Sequence, residues 1–349
     1  MSTFRRLLVL ISAAGLLAPL LLLLTPTAAS AAVFQGLTLQ NGWANYGDGT
    51  ASAGVSLRSG IVTLKGAIAT AGTNPAAFTL PAADRPATTV YVPVDLCDAT
   101  NGRLEISPSG VATVEAEGGT FSNAQCFTSL EGVSFAKSST SFTALSLQNG
   151  WTNGPFGTSN AAARKIVGIV HLEGAVASGT TGVITTLPAG LRPATTVYVQ
   201  VDLCGAANGR LEISPSGVVS VQAENNFSDA QCFTSLDGVS FAASASGFTT
   251  LSLQNGWTNA PFSTSNAAAE DIAGIVHLKG AVASGTTDVI TTLPAALRPA
   301  NTVYIPVDLC NATNGRLIIA PTGTVSVEAE SSFSDAQCFT SLDGASFTP

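Results

Sequence analysis

The chain contains three copies of one sequence, and this repetition constrains its fold more than any other feature. The segment LSLQNGWTN occurs twice, and a close variant, LTLQNGWAN, precedes them. Equivalent landmarks recur with a period of roughly 100 residues, which is the size of an ordinary domain. Because this period is far longer than that of a solenoid unit, each copy is expected to own a core. The tryptophans that mark the copies are Trp43, Trp151 and Trp257.

The segment 1–31 has the pattern of a secretory signal. Arg5 and Arg6 precede an apolar run from Leu7 to Leu24, and Ala29-Ser30-Ala31 offers small residues for cleavage. The predicted organisation is therefore a signal peptide followed by three domains. Their predicted ranges are 1–31 for the signal and 32–137, 138–243 and 244–349 for the domains.

The charge of the remaining chain excludes some partners. Without Arg5 and Arg6 it carries 12 basic and 22 acidic residues, a net charge of about −10. It has no cluster of Lys and Arg of the kind that binds nucleic acid. No later apolar run approaches the ~20 residues of a membrane-spanning helix. We therefore expect a secreted protein without a nucleic-acid partner or membrane insertion after signal cleavage.

Each copy holds two cysteines at matching positions and at nearly the same separation along the chain. In an exported protein, six cysteines are more typical of disulfides than of metal ligands. A unit that was copied had to close its bonds internally, so the spacing predicts one bridge in each copy. The predicted pairs are Cys97 with Cys126, Cys204 with Cys232, and Cys310 with Cys338.

Apolar residues alternate with polar ones at a period of two, and helical signals are absent. TTVYVPVDL (88–96) places Val90, Val92 and Val94 on one face. Turns are expected at Asn101-Gly102 and at Pro108-Ser109-Gly110, with equivalents in the other copies. The first copy would then contain eight strands, near 35–40, 54–58, 60–69, 77–80, 88–96, 102–107, 111–117 and 127–135.

Eight short antiparallel strands in ~100 residues predict an all-β fold, with each copy a jelly-roll-like or other Greek-key β-sandwich. An immunoglobulin-type sandwich is the alternative. It is disfavoured because the tryptophan precedes both cysteines instead of lying between them.

The motif series NGWTN, GIVHLEGAVASGT, TLPAGLRPATTVYVQV, GRLEISPSGVV and SLDGVSF, all within residues 149–241, resembles a known family. It is similar to the repeat-like tip domains of tail-fibre and minor tail proteins of phages that infect actinobacteria. The similarity extends through all three copies. It implies a small β-sandwich used for surface attachment and commonly displayed as a trimer.

The arrangement of the copies has two alternatives. The short linkers KSSTSFTA and AASASGFTT keep successive copies adjacent, and the resemblance implies a trimer. These observations favour an intramolecular pseudo-trimer, while separate cores also permit an extended string. In the first arrangement, Tyr91, Tyr198 and Tyr304 would lie at an interface beside Pro93, Gln200 and Pro306.

The residues offer little for catalysis, and we expect no enzyme, metal or cofactor. His171 and His277 are the only histidines, and alternation turns them away from their own cores. No D-x-D-x-D-G calcium spacing is present. Recurrent carboxylates are expected to cap turns or to pair across strands with Arg103, Arg210 and Arg316. These carboxylates are Asp95, Asp202, Asp308, Glu117, Glu224 and Glu330.

The candidate ligand-binding residues follow each tryptophan. A tryptophan, an asparagine and a loop aromatic could form a sugar platform, with ring stacking and amide hydrogen bonds. The alternative, which we favour, is that the tryptophan closes the core while the loop residues make the contacts. The candidate pairs are Asn45 with Tyr46, Asn153 with Phe156, and Asn259 with Phe262.

The sequence thus predicts a secreted, non-enzymatic binding or adhesion protein that recognises a surface glycan or a protein. A structural spacer of the cell surface or extracellular matrix, without a specific ligand, is the alternative.

Overall fold

The computed structural model describes residues 32–349, so the predicted signal segment lies outside the described residues. Three similar all-β units follow one another, each with short strands and one short α-helix. Within 32–349, no helix has both the length and the apolar character needed to cross a membrane.

The bounds of the elements repeat from unit to unit. The first unit contains β1 Gln35–Gly36, β2 Trp43–Asn45, β3 Gly54–Arg58, β4 Ile61–Lys65, β5 Ala67–Thr70, β6 Ala76–Thr79, β7 Val90–Asp95, β8 Asn101–Ile106, β9 Val111–Ala116, α1 Phe121–Cys126, β10 Thr128–Ser129 and β11 Ser134–Ala136. The second contains β12 Thr143–Ala144, β13 Thr152–Asn153, β14 Ala162–Ile166, β15 Ile169–Glu173, β16 Ala175–Ala177, β17 Val183–Thr186, β18 Val197–Asp202, β19 Asn208–Ile213, β20 Val218–Ala223, α2 Phe227–Cys232, β21 Thr234–Ser235 and β22 Ser240–Ala242. The third contains β23 Thr249–Thr250, β24 Thr258–Asn259, β25 Ala268–Ile272, β26 Ile275–Lys279, β27 Ala281–Ala283, β28 Val289–Thr292, β29 Val303–Asp308, β30 Asn314–Ile319, β31 Thr324–Ala329, α3 Phe333–Cys338, β32 Thr340–Ser341 and β33 Ser346–Phe347. Short 3-10 turns lie at Ala82–Asp84, Cys97–Ala99, Glu117–Gly119, Pro155–Gly157, Ala189–Leu191, Cys204–Ala206, Pro261–Ser263, Ala295–Leu297 and Cys310–Ala312.

Each unit is built from antiparallel sheets that share one core. In the first unit, the sheets β1-β3-β4-β11 and β6-β9-β8-β7 both contribute to the core, and β10-β5-β2 forms a third sheet. Val62 and Leu64 come from one four-stranded sheet, Val92 and Leu104 from the other, and all four are buried. The all-β prediction is confirmed and the sandwich is compatible with this topology. The finer jelly-roll topology stays a prediction.

Two predicted strands are interrupted. The strand expected at 60–69 breaks at Gly66, whose φ is +92°. A Cβ at that position would lie 2.6 Å from the Ala51 carbonyl oxygen and the Ser52 carbonyl group, so only glycine fits. The strand expected at 127–135 divides into β10 and β11, which pair with different partners, β5 and β4.

The absence of helix was a wrong prediction. Phe121–Cys126 forms α1, and the equivalent segments form α2 and α3. Each helix has six residues, and in the first only Ala124 is buried. A helix this short shows less than two turns of apolar periodicity, which is too little to be recognised in the sequence.

The turn expected at Asn101-Gly102 is also wrong. Both residues belong to β8, where they pair with Asp95 and Val94 of β7. The chain turns earlier, in the 3-10 turn at Cys97–Ala99. There Asp98 adopts a left-handed conformation with φ of +56°.

The three predicted disulfides are confirmed. Each joins the 3-10 turn after β7, β18 or β29, an edge strand of its sheet, to the last residue of the α-helix. The Cα–Cα distances are 5.7, 5.6 and 5.6 Å, within the normal range. The pairs are Cys97–Cys126, Cys204–Cys232 and Cys310–Cys338.

The same contact joins every pair of units, including the third to the first. A serine hydroxyl at the end of a short strand donates a 2.6 Å hydrogen bond to the carbonyl of a tyrosine in another unit. Because the third contact returns to the first unit, the units form a closed ring around a pseudo-threefold axis. The bonds run from Ser235 to Tyr91, from Ser341 to Tyr198, and from Ser129 to Tyr304.

A polar network crosses this axis. The Nε2 atom of Gln200 lies 3.2, 2.8 and 2.8 Å from the Oδ1 atoms of Asn101, Asn208 and Asn314. Each asparagine belongs to a different unit. Its own Nδ2 donates to an alanine carbonyl of a neighbouring unit, at 2.6 to 2.8 Å. Apart from the bond between Gln200 and Asn208, the hydrogen bonds of this network join different units.

Candidate functional site

The tryptophans belong to the core. Their exposed fractions are 4 to 5%, and each indole Nε1 donates to a backbone carbonyl at 2.9 to 3.0 Å. In the third unit, a Cβ on Gly285 would lie 2.0 Å from the ring of Trp257. The ring is therefore covered by backbone, which confirms burial and leaves no face open for a sugar.

The candidate asparagines are exposed but already bonded. Their Oδ1 atoms accept backbone N–H groups eight residues later, at 2.7 to 2.8 Å. These bonds close the loop that carries the following aromatic residue. In each bond an alanine N–H donates to the asparagine: Ala53 to Asn45, Ala161 to Asn153, and Ala267 to Asn259.

The loop aromatics are large apolar side chains that are exposed to solvent. Phe156 is 63% exposed, Phe262 is 60% exposed, and Tyr46 is 37% exposed. Both phenylalanines sit in 3-10 turns that begin with proline, and both have φ of +53°. A bulky residue rarely adopts this conformation, and such strain concentrates at functional sites. The fold therefore holds two large apolar rings in water at a cost in backbone energy.

Each loop aromatic lies at a contact between two units, and we call these three contacts groove 1–2, groove 2–3 and groove 3–1. In groove 1–2, Phe156 contacts Phe233 edge-to-face, with ring centroids 5.7 Å apart. Phe233 contacts Tyr91 of the first unit at 5.0 Å. Arg103 and the Cys204 disulfide complete the lining, and the groove encloses about 190 Å³.

The two other grooves repeat this arrangement with other residues. In groove 2–3, Phe262 contacts Phe339, which contacts Tyr198, at 5.7 and 5.1 Å. This groove encloses about 90 Å³ and is also lined by Arg210 and Asn311. In groove 3–1, the corresponding rings are Tyr46, Phe127 and Tyr304, with centroids 4.8 and 5.0 Å apart.

An arginine is fixed at each groove by residues of two units. The guanidinium of Arg103 lies 5.0 Å from the centroid of Tyr91 and bonds Glu115 of its own unit. It also pairs with Asp202 of the next unit, at 3.4 Å. The predicted aspartates thus pair with these arginines, but across units, whereas the pairing across neighbouring strands is made by Glu115. The equivalents are Arg210 with Asp308 and Arg316 with Asp95.

These aspartates are fully buried. Burial raises the pKa of Asp95 to about 7, that of Asp202 to about 8 and that of Asp308 to about 7, although the paired arginine acts in the opposite direction. Within residues 32–349, the other recurrent carboxylates do not pair with the arginines. They accept hydrogen bonds from the axial asparagines, and they are Glu117, Glu224 and Glu330. None of the described residues form a group of three or more His, Cys, Asp or Glu that could hold a metal ion.

The grooves differ in charge. Arg103 and Arg316 each bond a glutamate through both Nε and Nη2, whereas Arg210 bonds the neutral Gln222 through Nη2 alone. The Nε of Arg210 is buried and has no hydrogen-bond partner among residues 32–349. At groove 2–3 a neutral amide therefore stands beside the arginine where the two counterparts have a carboxylate.

Sequence reasoning identified the loop aromatics and the tyrosine interface but missed the grooves. Each groove takes its lining from two units that lie a whole copy apart in the chain. A signal was present, since the arginines lie on the same face as the tyrosines in a charge-poor sequence. Comparisons with protein-family models, curated proteins and solved structures yield no match.

Proposed function

We propose that this chain is a secreted, non-enzymatic binding protein whose three grooves contact a surface glycan. The observation that carries the proposal is the exposure of Phe156 and Phe262 in strained turns at the grooves. Aromatic faces stack on the apolar faces of sugar rings, and the rigid sandwich keeps them in place. The disulfides and the signal-like N-terminal segment support export.

Three similar grooves on one body suit a repetitive ligand. A second site on the same molecule binds at high effective concentration, so modest single-site contacts add up to useful avidity. Surface polysaccharides repeat their sugar units and meet this requirement. The resemblance to phage tip domains agrees with attachment to a surface.

The test is binding to an array of neutral and acidic surface glycans. The triple variant Tyr46→Ala, Phe156→Ala, Phe262→Ala should lose at least tenfold in apparent affinity, because each groove loses its exposed ring. Leu57→Ala removes an exposed apolar side chain elsewhere and should bind like the parent. Absence of saturable glycan binding would contradict the proposal. Saturable binding to a protein, lost in the triple variant, would redirect it to a protein ligand, and no binding at all would favour the spacer.

The charge difference between the grooves gives a sharper variant. If groove 2–3 takes an acidic sugar, Gln222→Glu should weaken binding of acidic glycans about threefold to tenfold, because the new carboxylate occupies Arg210. The affinity for neutral glycans should change little. Equal losses of affinity for acidic and neutral glycans would show that the substitution acts through structure alone.

A further inference from the structure

A cavity lies on the pseudo-threefold axis, apart from the grooves. It encloses about 100 Å³ and receives side chains from all three units. Equivalent isoleucines form an apolar belt, and equivalent polar residues form a second layer. The belt consists of Ile61, Ile169 and Ile275, and the polar layer includes Thr63, His171, His277, Ser134 and Ser346.

The histidines point away from their own cores, as alternation predicts, and into this shared cavity. They lie on β15 and β26, opposite Ser240 and Ser346 of β22 and β33. Burial, with a smaller contribution from Arg164, lowers the pKa of His171 to about 4. Burial also lowers the pKa of His277 to about 3, with a contribution from His171. Both imidazoles are therefore neutral at pH 7, each with one N–H donor and one nitrogen acceptor.

The charged groups around the histidines lie at the edges of the cavity. Arg164 and Glu270 face His171 and His277 from the adjacent strands. Arg58 reaches across the cavity mouth and donates to the Ala273 carbonyl of another unit. Arg164 donates in the same way to the Ser59 carbonyl, at 3.3 Å. Further along the histidine strands lie Glu173 and Lys279, which do not line the cavity.

Part of the mouth of the cavity is apolar. Ile166 and Ile272 line it, and Val167, at a hairpin tip, is 73% exposed. Large exposed apolar side chains around a concave site indicate a ligand with an apolar part. Arg58 is the one charged side chain among the lining residues that the structure describes, and it already donates to the Ala273 carbonyl. A charged ligand would therefore lose its hydration in the belt and polar layer without meeting an opposite charge there.

We propose that this axial cavity binds a small uncharged molecule with an apolar body and one hydroxyl or carbonyl group. The apolar body lies within the isoleucine belt, and the polar group bonds the neutral imidazoles and the hydroxyls of the polar layer. The cavity volume limits the size of the ligand. An apolar cavity of about 150 Å³ accepts benzene, so a cavity of about 100 Å³ takes a smaller molecule. This inference rests on the cavity alone and is independent of the grooves.

The experiment uses three probes of equal chain length: 1-butanol, butyrate and butylammonium. NMR titration of the chain 32–349 at pH 7 should show saturable shifts of the Ile169 and Ile275 methyls and of both imidazoles with butanol. Butyrate and butylammonium should bind at least tenfold more weakly. The proposal fails if butanol gives no saturable shift, or if the three probes bind equally well.

The matched variant is His171→Thr, His277→Thr, which copies the Thr63 of the first unit and so should fold. It should bind butanol about threefold to tenfold more weakly at pH 7, the effect of losing a hydrogen bond. Lowering the pH to about 3.5 should weaken butanol binding severalfold in the parent, because His171 becomes charged, and leave the variant unchanged. Parent-like affinity with parent-like pH dependence in the variant would overturn the role of the imidazoles.

Discussion

Some equivalent positions hold the same residue in all three units, whereas a few positions where the units meet hold different residues. Tryptophan occupies the same buried site in all three cores. On the axis, Pro93 and Pro306 correspond to Gln200, and near the cavity Thr63 corresponds to the two histidines. The tryptophan recurs because each core needs a large apolar side chain at that site. A residue on the axis meets its own equivalents, so a change in one unit is felt by all three.

This difference teaches what a single chain gains over a homotrimer. One amide group on the axis can reach the three asparagines, but three glutamines would crowd the same space. A homotrimer must place the same residue three times. The single chain keeps the symmetric backbone and places one glutamine on the axis, two histidines at the cavity, and Gln222 where the other grooves have a glutamate.

The largest expected effect comes from a core residue. Trp257→Ala should lower the free energy of unfolding of the third unit by ~3 to 5 kcal/mol, because it removes a buried ring and leaves a cavity. Phe262→Ala, in the same unit but exposed, should change it by less than ~0.5 kcal/mol. Denaturant unfolding measures both. Similar losses in the two variants would break the distinction between core and surface.

A contact between units should have the next largest effect. Arg316→Met leaves the fully buried Asp95 without its partner and should destabilise by ~3 kcal/mol at pH 8. Arg298→Met is the control, since Arg298 donates to the Leu293 carbonyl of its own unit. Arg298→Met should lower the free energy of unfolding by about 1 kcal/mol.

The pH dependence of the Arg316→Met variant follows from the raised pKa of Asp95, which is about 7 even with the arginine present. A carboxyl whose folded pKa lies above its unfolded value stabilises the fold at low pH, and that stability is lost as the pH rises through the folded pKa. The excess destabilisation should therefore be smaller at pH 5 than at pH 8. A larger loss at pH 5 would contradict the burial of this aspartate.

The sequence predicted what depends on local pattern. Val90, Val92 and Val94 alternate because one sheet face is buried, and the cysteines pair within copies because each unit closes its own loop. Residues such as Asn101 were misplaced because their role lies in another unit. An Asn-Gly pair is typical of a turn, but here its amide donates to Ala206, 105 residues away. The grooves were missed for the same reason, since neither half is complete in one copy.

The smallest expected effect concerns the axis. Gln200→Pro gives all three units the same residue and removes the amide from the asparagine oxygens, so we expect a loss of about 1 kcal/mol. The double variant Pro93→Gln, Gln200→Pro moves the amide to an equivalent position and should restore stability. If the double variant is less stable than Gln200→Pro, the three axial positions are not equivalent.

The closed ring is the central claim, and small-angle X-ray scattering of residues 32–349 tests it most directly. A chain of this length in a compact ring should have a radius of gyration near ~20 Å and a distance distribution with one maximum. A clearly larger radius, with an elongated distribution showing separate unit-to-unit distances, would contradict the ring. It would also remove the grooves and the axial cavity, since both exist only where units meet.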